Sequence, residues 1–118
     1  MDLPQRRTCR CLSVQDIRLV FSTFPDDKTA RRIATELVTG RFAACANVLP
    51  HIESIYRWQD KVETAEETLV LFKLAASRYQ EFESKLKSLH PYDVPEIIAV
   101  ELTNGLPAYL QWAIENSN

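Results

Sequence analysis

The sequence predicts an α+β domain: one antiparallel sheet, two long helices on one of its faces, and a short C-terminal helix. Three observations predict it. The chain has 118 residues, 46% hydrophobic and 25% charged, which suits a single domain with one packed core. Its apolar residues switch between two-residue and helical spacing in the order strand, helix, strand, strand, helix, strand, helix. Two long alternating runs also meet at a short polar break, which marks a hairpin.

Ile17 to Phe24 is an apolar run of β-formers bounded by Asp16 and Pro25, a buried strand. Asp26 and Asp27 offer an N-cap and favourable charge to the helix that follows. Ala30, Ile33, Ala34, Leu37 and Val38 form its apolar stripe, and Gly40 is placed to end it at C′. Phe42 to Trp58 reads as a long strand that Pro50 kinks, with His51 exposed at the kink. Gln59, Asp60 and Lys61 turn the chain into a second alternating run through Thr68, Val70, Phe72 and Leu74. Ser77 and Gln80 have capping-box spacing, and Tyr79, Phe82, Leu86 and Leu89 carry a second helix to about Leu89. Pro91 and Pro95 stiffen a loop before a fourth strand over Glu96 to Leu102. Pro107 opens the last helix, whose inner face is Leu106, Tyr109, Leu110, Ala113 and Ile114. This βαββαβ order is the split β-α-β pattern of ferredoxin-like folds.

Residues 1–15 read as a flexible basic tail, with Arg6, Arg7 and Arg10 against Asp2. The domain is placed at 16–118, where eleven basic and fifteen acidic residues leave a net charge of −4. That balance argues against a nucleic-acid partner. No apolar run is long enough to cross a membrane, so no membrane partner is expected. Two glycines leave no glycine-rich phosphate cradle. Cys9, Cys11 and Cys45 do not form a secreted disulfide framework, which points to a reducing, cytoplasmic compartment. No Ser-His-Asp or Cys-His grouping has local motif context, so no enzyme activity is expected.

The long strand points beyond the monomer. Sixteen residues from Ala43 to Trp58 would span about 50 Å if unbroken, against a diameter near ~35 Å for a compact chain of this size. The Tyr56 and Trp58 end of the hairpin should therefore overhang its own domain and need another subunit as cover. Trp112 lies off the inner face of the last helix and is assigned to the same interface.

The chemistry-bearing residues are few. His90, Tyr92, Asp93 and Glu96 put imidazole, phenol and carboxylates into seven residues held by two prolines. Imidazole with carboxylate suits a borderline divalent metal such as copper or zinc, and a thiolate would favour those ions further. The candidate metal ligands are His90, with Cys45 and Glu96 as helpers. The plainer alternative has His90 ending a helix and bonding a backbone carbonyl, and Cys45 packed as a small apolar residue. Arg57 and Lys73, with Tyr92, form a candidate ligand cleft. No cofactor is expected to be obligatory.

The chain resembles the CutA divalent-cation tolerance proteins over about residues 17 to 114. The resemblance rests on Thr23 and Pro25, Phe42-Ala43-Ala44-Cys45-Ala46-Asn47, Pro50, Ser54-Ile55-Tyr56-Arg57-Trp58, Glu67, Lys73, His90-Pro91-Tyr92, Pro95-Glu96, Tyr109 and Trp112. It implies a ferredoxin-like fold and a tight homotrimer similar to the PII signalling proteins. It also implies a role in divalent metal tolerance or response. The copper site proposed for the family uses a thiol at the end of the first strand and two adjacent histidines. Here those positions match Ser22, Leu89 and His90, so only His90 is kept and binding should be weak. The alternative is a PII-like sensor of a small anionic ligand at subunit clefts, which Arg57 and Lys73 would suit.

Overall fold

A computed structural model describes residues 16–118; the basic tail with Cys9 and Cys11 lies outside the described residues. The elements are β1 (Ile17–Phe24), α1 (Asp27–Thr39), β2 (Cys45–Trp58), β3 (Lys61–Ala75), α2 (Tyr79–Leu89), β4 (Ile98–Glu101) and α3 (Pro107–Glu115). The sheet is antiparallel throughout, in the order β2-β3-β1-β4. The predicted α+β, ferredoxin-like order and first strand are observed.

Side chains alternate across β3, so Thr68, Val70, Phe72 and Leu74 face α1 and α2. They pack with Val20 and Phe24 of β1, Ile33 and Leu37 of α1, and Phe82 and Leu86 of α2. Phe72 and Phe82 meet edge to face with centroids 5.0 Å apart. Ser22 lies in the same layer, fully buried, and its hydroxyl has no hydrogen-bond partner among the described residues. An unpaired buried hydroxyl is a cost that an apolar side chain removes. Ser22→Ala is therefore expected to leave stability unchanged or to raise it by about 1 kcal/mol. Urea denaturation checks this, and a clear loss of stability would contradict it.

Three local expectations are corrected. Ser77 does not cap α2; it sits exposed in a 3₁₀ turn, Ala76–Arg78, that leads into the helix without a side-chain cap. Gly40 ends α1 at φ −82°, and the left-handed residue is Arg41, at φ 66°. Arg41 and Phe42 close the helix end, donating their N–H groups to the Val38 and Leu37 carbonyls, and contacts from elsewhere in the chain add to this. The Arg41 guanidinium donates to the carbonyls of Glu115 (2.6 Å) and Asn118 (3.1 Å), and its own carbonyl accepts from Arg78 Nε (3.2 Å). The fourth strand is shorter than the apolar run suggests, because only Ile98–Glu101 pair with β1. The capping of α1 is as expected: the Asp26 carboxylate accepts the Thr29 N–H at 2.7 Å, which lowers its pKa.

The second face of the sheet is mostly uncovered. α3 crosses one end of it, where Leu110 and Ala113 pack on Ile17 and Ala44. The rest presents Leu19, Phe21, Leu49, Leu69, Leu71, Ile98 and Val100; Leu49, Ile98 and Val100 are exposed. The predicted kink in β2 is a bulge: Pro50 and His51 together oppose Thr68, and His51 takes φ 60°. Beyond it, Ile52, Ser54, Tyr56 and Trp58 share the open face with Glu67, Ala65, Glu63 and Lys61. Gln59 and Asp60, both at positive φ, close the hairpin. The arm projects, so the molecule measures 59 × 26 × 22 Å, and its radius of gyration of 16.3 Å exceeds the ~13.5 Å of a compact chain.

Candidate functional site

The residues after α2 fold back over the end of β1. His90 is the C-cap of α2 and is buried, with its ring stacked on Phe24 at 4.6 Å. Its Nε2–H donates to the Thr23 carbonyl at 2.8 Å, and its Nδ1 accepts the Tyr92 N–H at 3.1 Å. Both ring nitrogens are thus engaged, and the pattern fits the neutral imidazole alone. Burial lowers its pKa. This is the plainer of the two expectations for His90. A metal ion could reach it only by breaking one of these bonds.

A pH dependence follows. A histidine whose folded pKa is depressed contributes its full stability above the unfolded value of about 6.5. That contribution falls as pH drops below about 6.5 towards the folded pKa, because the unfolded chain takes up the proton first. The His90 contribution to the denaturation midpoint should decline between pH 7 and 5, so His90→Gln should lose less stability over that range than the parent. An equal decline in the variant would assign it to other groups.

Tyr92 donates its hydroxyl to the Glu67 carboxylate at 2.7 Å. Both are half-buried, and burial together with the Glu67 charge pushes the phenol pKa up. The bond ties the loop to the middle of β3.

The other candidates lie elsewhere. Cys45 pairs with Lys73 across β2 and β3, and Thr23, which holds His90, pairs with Leu69. Four residues of β3, about 13 Å, separate the two levels. The structure therefore does not bring Cys45 and His90 together within one chain. Cys45 is half-buried instead, with its Sγ 3.7 Å from the Tyr109 hydroxyl and 3.9 Å from Asn47 Oδ1. Glu96 is exposed in the loop before β4. Lys73 donates to Asn47 Oδ1 at 2.9 Å and lies 5.7 Å from the centre of the Tyr109 ring. Arg57 is exposed on the arm opposite Val62, eleven residues of β3 away from Lys73, or about 36 Å. A cleft that joins Arg57 to Lys73 cannot form within one chain. Tyr56, Trp58 and Trp112 are exposed, as an interface would require.

His51 is the residue that sequence reasoning passed over. Its Nδ1 lies 2.5 Å from Glu66 Oε2 and its Nε2 3.9 Å from Asp27 Oδ2, beside a cavity of about 210 Å³ lined also by Pro25, Asp26, Glu67 and Thr68. The hydrogen bond its Nδ1 donates to Glu66 and the charge of Asp27 raise its pKa. The one available signal was Pro50 beside a histidine in a strand that carboxylates flank.

Residues 18–116 match the family model described as CutA1 divalent ion tolerance protein. The chain is 42% identical over 99 residues to the divalent-cation tolerance protein CutA of Thermus thermophilus, covering 84% of this chain and 96% of that one. It is 40% identical over 96 residues to the protein CutA of Mus musculus, covering 81% of this chain and 54% of that one, about half the mouse protein's length. The crystal structure of CutA from Xylella fastidiosa superposes with a TM-score of 0.84 at 44% identity, covering 87% of this chain and 99% of that one.

Proposed function

The chain belongs to the CutA1 divalent ion tolerance protein family, and from that premise we propose that it works as a non-enzymatic homotrimer in the tolerance of, or response to, divalent metal ions. The observation that carries the assembly is the uncovered sheet face. Leu19, Phe21, Ile98 and Val100 form an apolar strip across β1 and β4, and the arm places Tyr56 and Trp58 beyond its own core. Contiguous apolar surface of this kind calls for a protein partner. A closed ring of like copies covers every such face with one repeated contact. Light scattering should give three times the 13.6 kDa of one chain. A single-chain mass at micromolar concentration would refute the assembly.

Metal contact is proposed as weak and reversible, with His90 the leading ligand candidate and Cys45 and Glu96 secondary. One of the two bonds that hold the His90 ring must be exchanged for a metal bond, which lowers affinity. Thermal shift with copper(II), zinc(II) and small anions side by side tests this role. Stabilisation by an anion and by neither metal would move the function to anion sensing, with Arg57 of one chain near Lys73 of another.

A further inference from the structure

We infer that Asp27 and His51 form an open binding site for a borderline divalent cation such as zinc(II) or copper(II), separate from His90. The choice of a divalent cation rests on the metal-tolerance reading above; the location rests on the geometry.

Four observations converge on the pair. His51 holds φ 60° in the bulge, a conformation that a side chain other than glycine's disfavours. Outliers of this kind persist where surrounding contacts fix them, and they cluster at functional sites. Glu66 engages Nδ1 at 2.5 Å. With Nδ1 bearing the proton, the lone pair sits on Nε2, the atom that faces Asp27. This carboxylate–imidazole contact is the outer-shell arrangement that orients a metal-binding histidine. On the other side, Asp27 Oδ1 accepts the Thr68 hydroxyl, which fixes that carboxylate as well. Finally, Nε2 and Asp27 Oδ2 are 3.9 Å apart. That is too far for a hydrogen bond, but two metal–ligand bonds of about 2.1 Å span it with the ion set off the line between the two atoms.

The donors suit the ion: imidazole with carboxylate selects zinc and copper over magnesium. Among the described residues, no three His, Cys, Asp or Glu side chains converge to enclose an ion. The site is therefore a two-ligand one, completed by water from the adjacent cavity, and its affinity should be micromolar or weaker.

The chain has two histidines, so their ring C–H signals report directly which imidazole takes the metal. Zinc(II) chloride titrated into the full chain and followed by NMR should shift the His51 signals, saturating at one ion per chain. The His90 signals should move only at higher zinc concentration, because a bond to the ring must break first. His51→Gly assigns the signals and should weaken zinc affinity at least tenfold, as should Asp27→Asn. Glu66→Gln should weaken it about tenfold. Glycine adopts a positive φ without strain, so the metal-free melting temperature of His51→Gly should not fall below that of the parent. If only the His90 signals move, the Asp27–His51 site is overturned while metal binding at His90 stands. If neither imidazole moves at millimolar zinc, both assignments fall. Unchanged affinity in Asp27→Asn also overturns the site.

Discussion

Phe21→Asp is expected to turn the proposed trimer into free chains of 13.6 kDa. Phe21 lies at the centre of the open face, between Leu71 of β3 and Ile98 of β4. In an assembly that covers this face, the carboxylate would be buried without a partner, at a cost of several kcal/mol per chain. In a lone chain the same carboxylate stays at a face open to solvent, and the helix-side core is untouched. Light scattering should show dissociation while the helix signal in circular dichroism persists. Folding coupled to the proposed assembly would also make the parent's melting temperature depend on protein concentration. Phe21→Asp should abolish that dependence, and a variant that stays trimeric would place the interface elsewhere.

The second large effect lies on the opposite side of the sheet. Phe72→Ala removes a fully buried ring that meets Phe82 edge to face at 5.0 Å, in the layer shared by Val20, Leu37 and Leu86. Truncations of this kind cost about 3–5 kcal/mol through lost transfer energy and the cavity left behind. Lost aromatic contact adds about 0.5–1.5 kcal/mol. A substantial part of the stability of a domain this size should disappear. Chemical denaturation at fixed protein concentration measures it, and a loss below about 1 kcal/mol would mean that α2 collapses into the space.

The two variants separate the faces of one sheet, and those faces were unequally legible in the sequence. β1 could be bounded at both ends because an apolar run stops at a proline followed by two aspartates. α1 was visible from its stripe and from Asp26, whose capping bond is local in sequence. The hairpin was visible because its alternation continues on both sides of Gln59 and Asp60. Expectations weakened where a distant contact decides. Arg41 takes the left-handed position at the helix end that the local bonds Arg41 N–H to Val38 and Phe42 N–H to Leu37 close, but the Glu115, Asn118 and Arg78 contacts that add to it lie far along the chain. The apolar run around β4 extends past its paired part because β1 partners only Ile98–Glu101.

The candidate site follows the same logic. His90 as a helix terminus on a backbone carbonyl was readable from its place between Leu89 and Pro91. Its partner, Thr23, lies 67 residues away and was not. The separation of Cys45 from His90 is set by the register of three strands. His51 meets one carboxylate from the start of α1 and another from the middle of β3, and only the bulge brings them together.

That bulge also acts as a parity element. On β2 the open face is carried by odd-numbered residues before it, Cys45, Asn47 and Leu49, and by even-numbered ones after it, Ile52, Ser54, Tyr56 and Trp58. The two-for-one step at Pro50 and His51 is a frame shift written into the strand. Deleting either residue would restore one-for-one pairing opposite Thr68 and leave Tyr56 and Trp58 on the open face, whereas keeping both residues in strict alternation would rotate them to the helix side and bring Ile55 and Arg57 to the open side. The bulge is what lets the strand carry one extra residue without inverting the arm. The orientation of everything beyond Leu49 thus depends on Pro50 and His51 sharing one partner, Thr68, rather than taking one partner each.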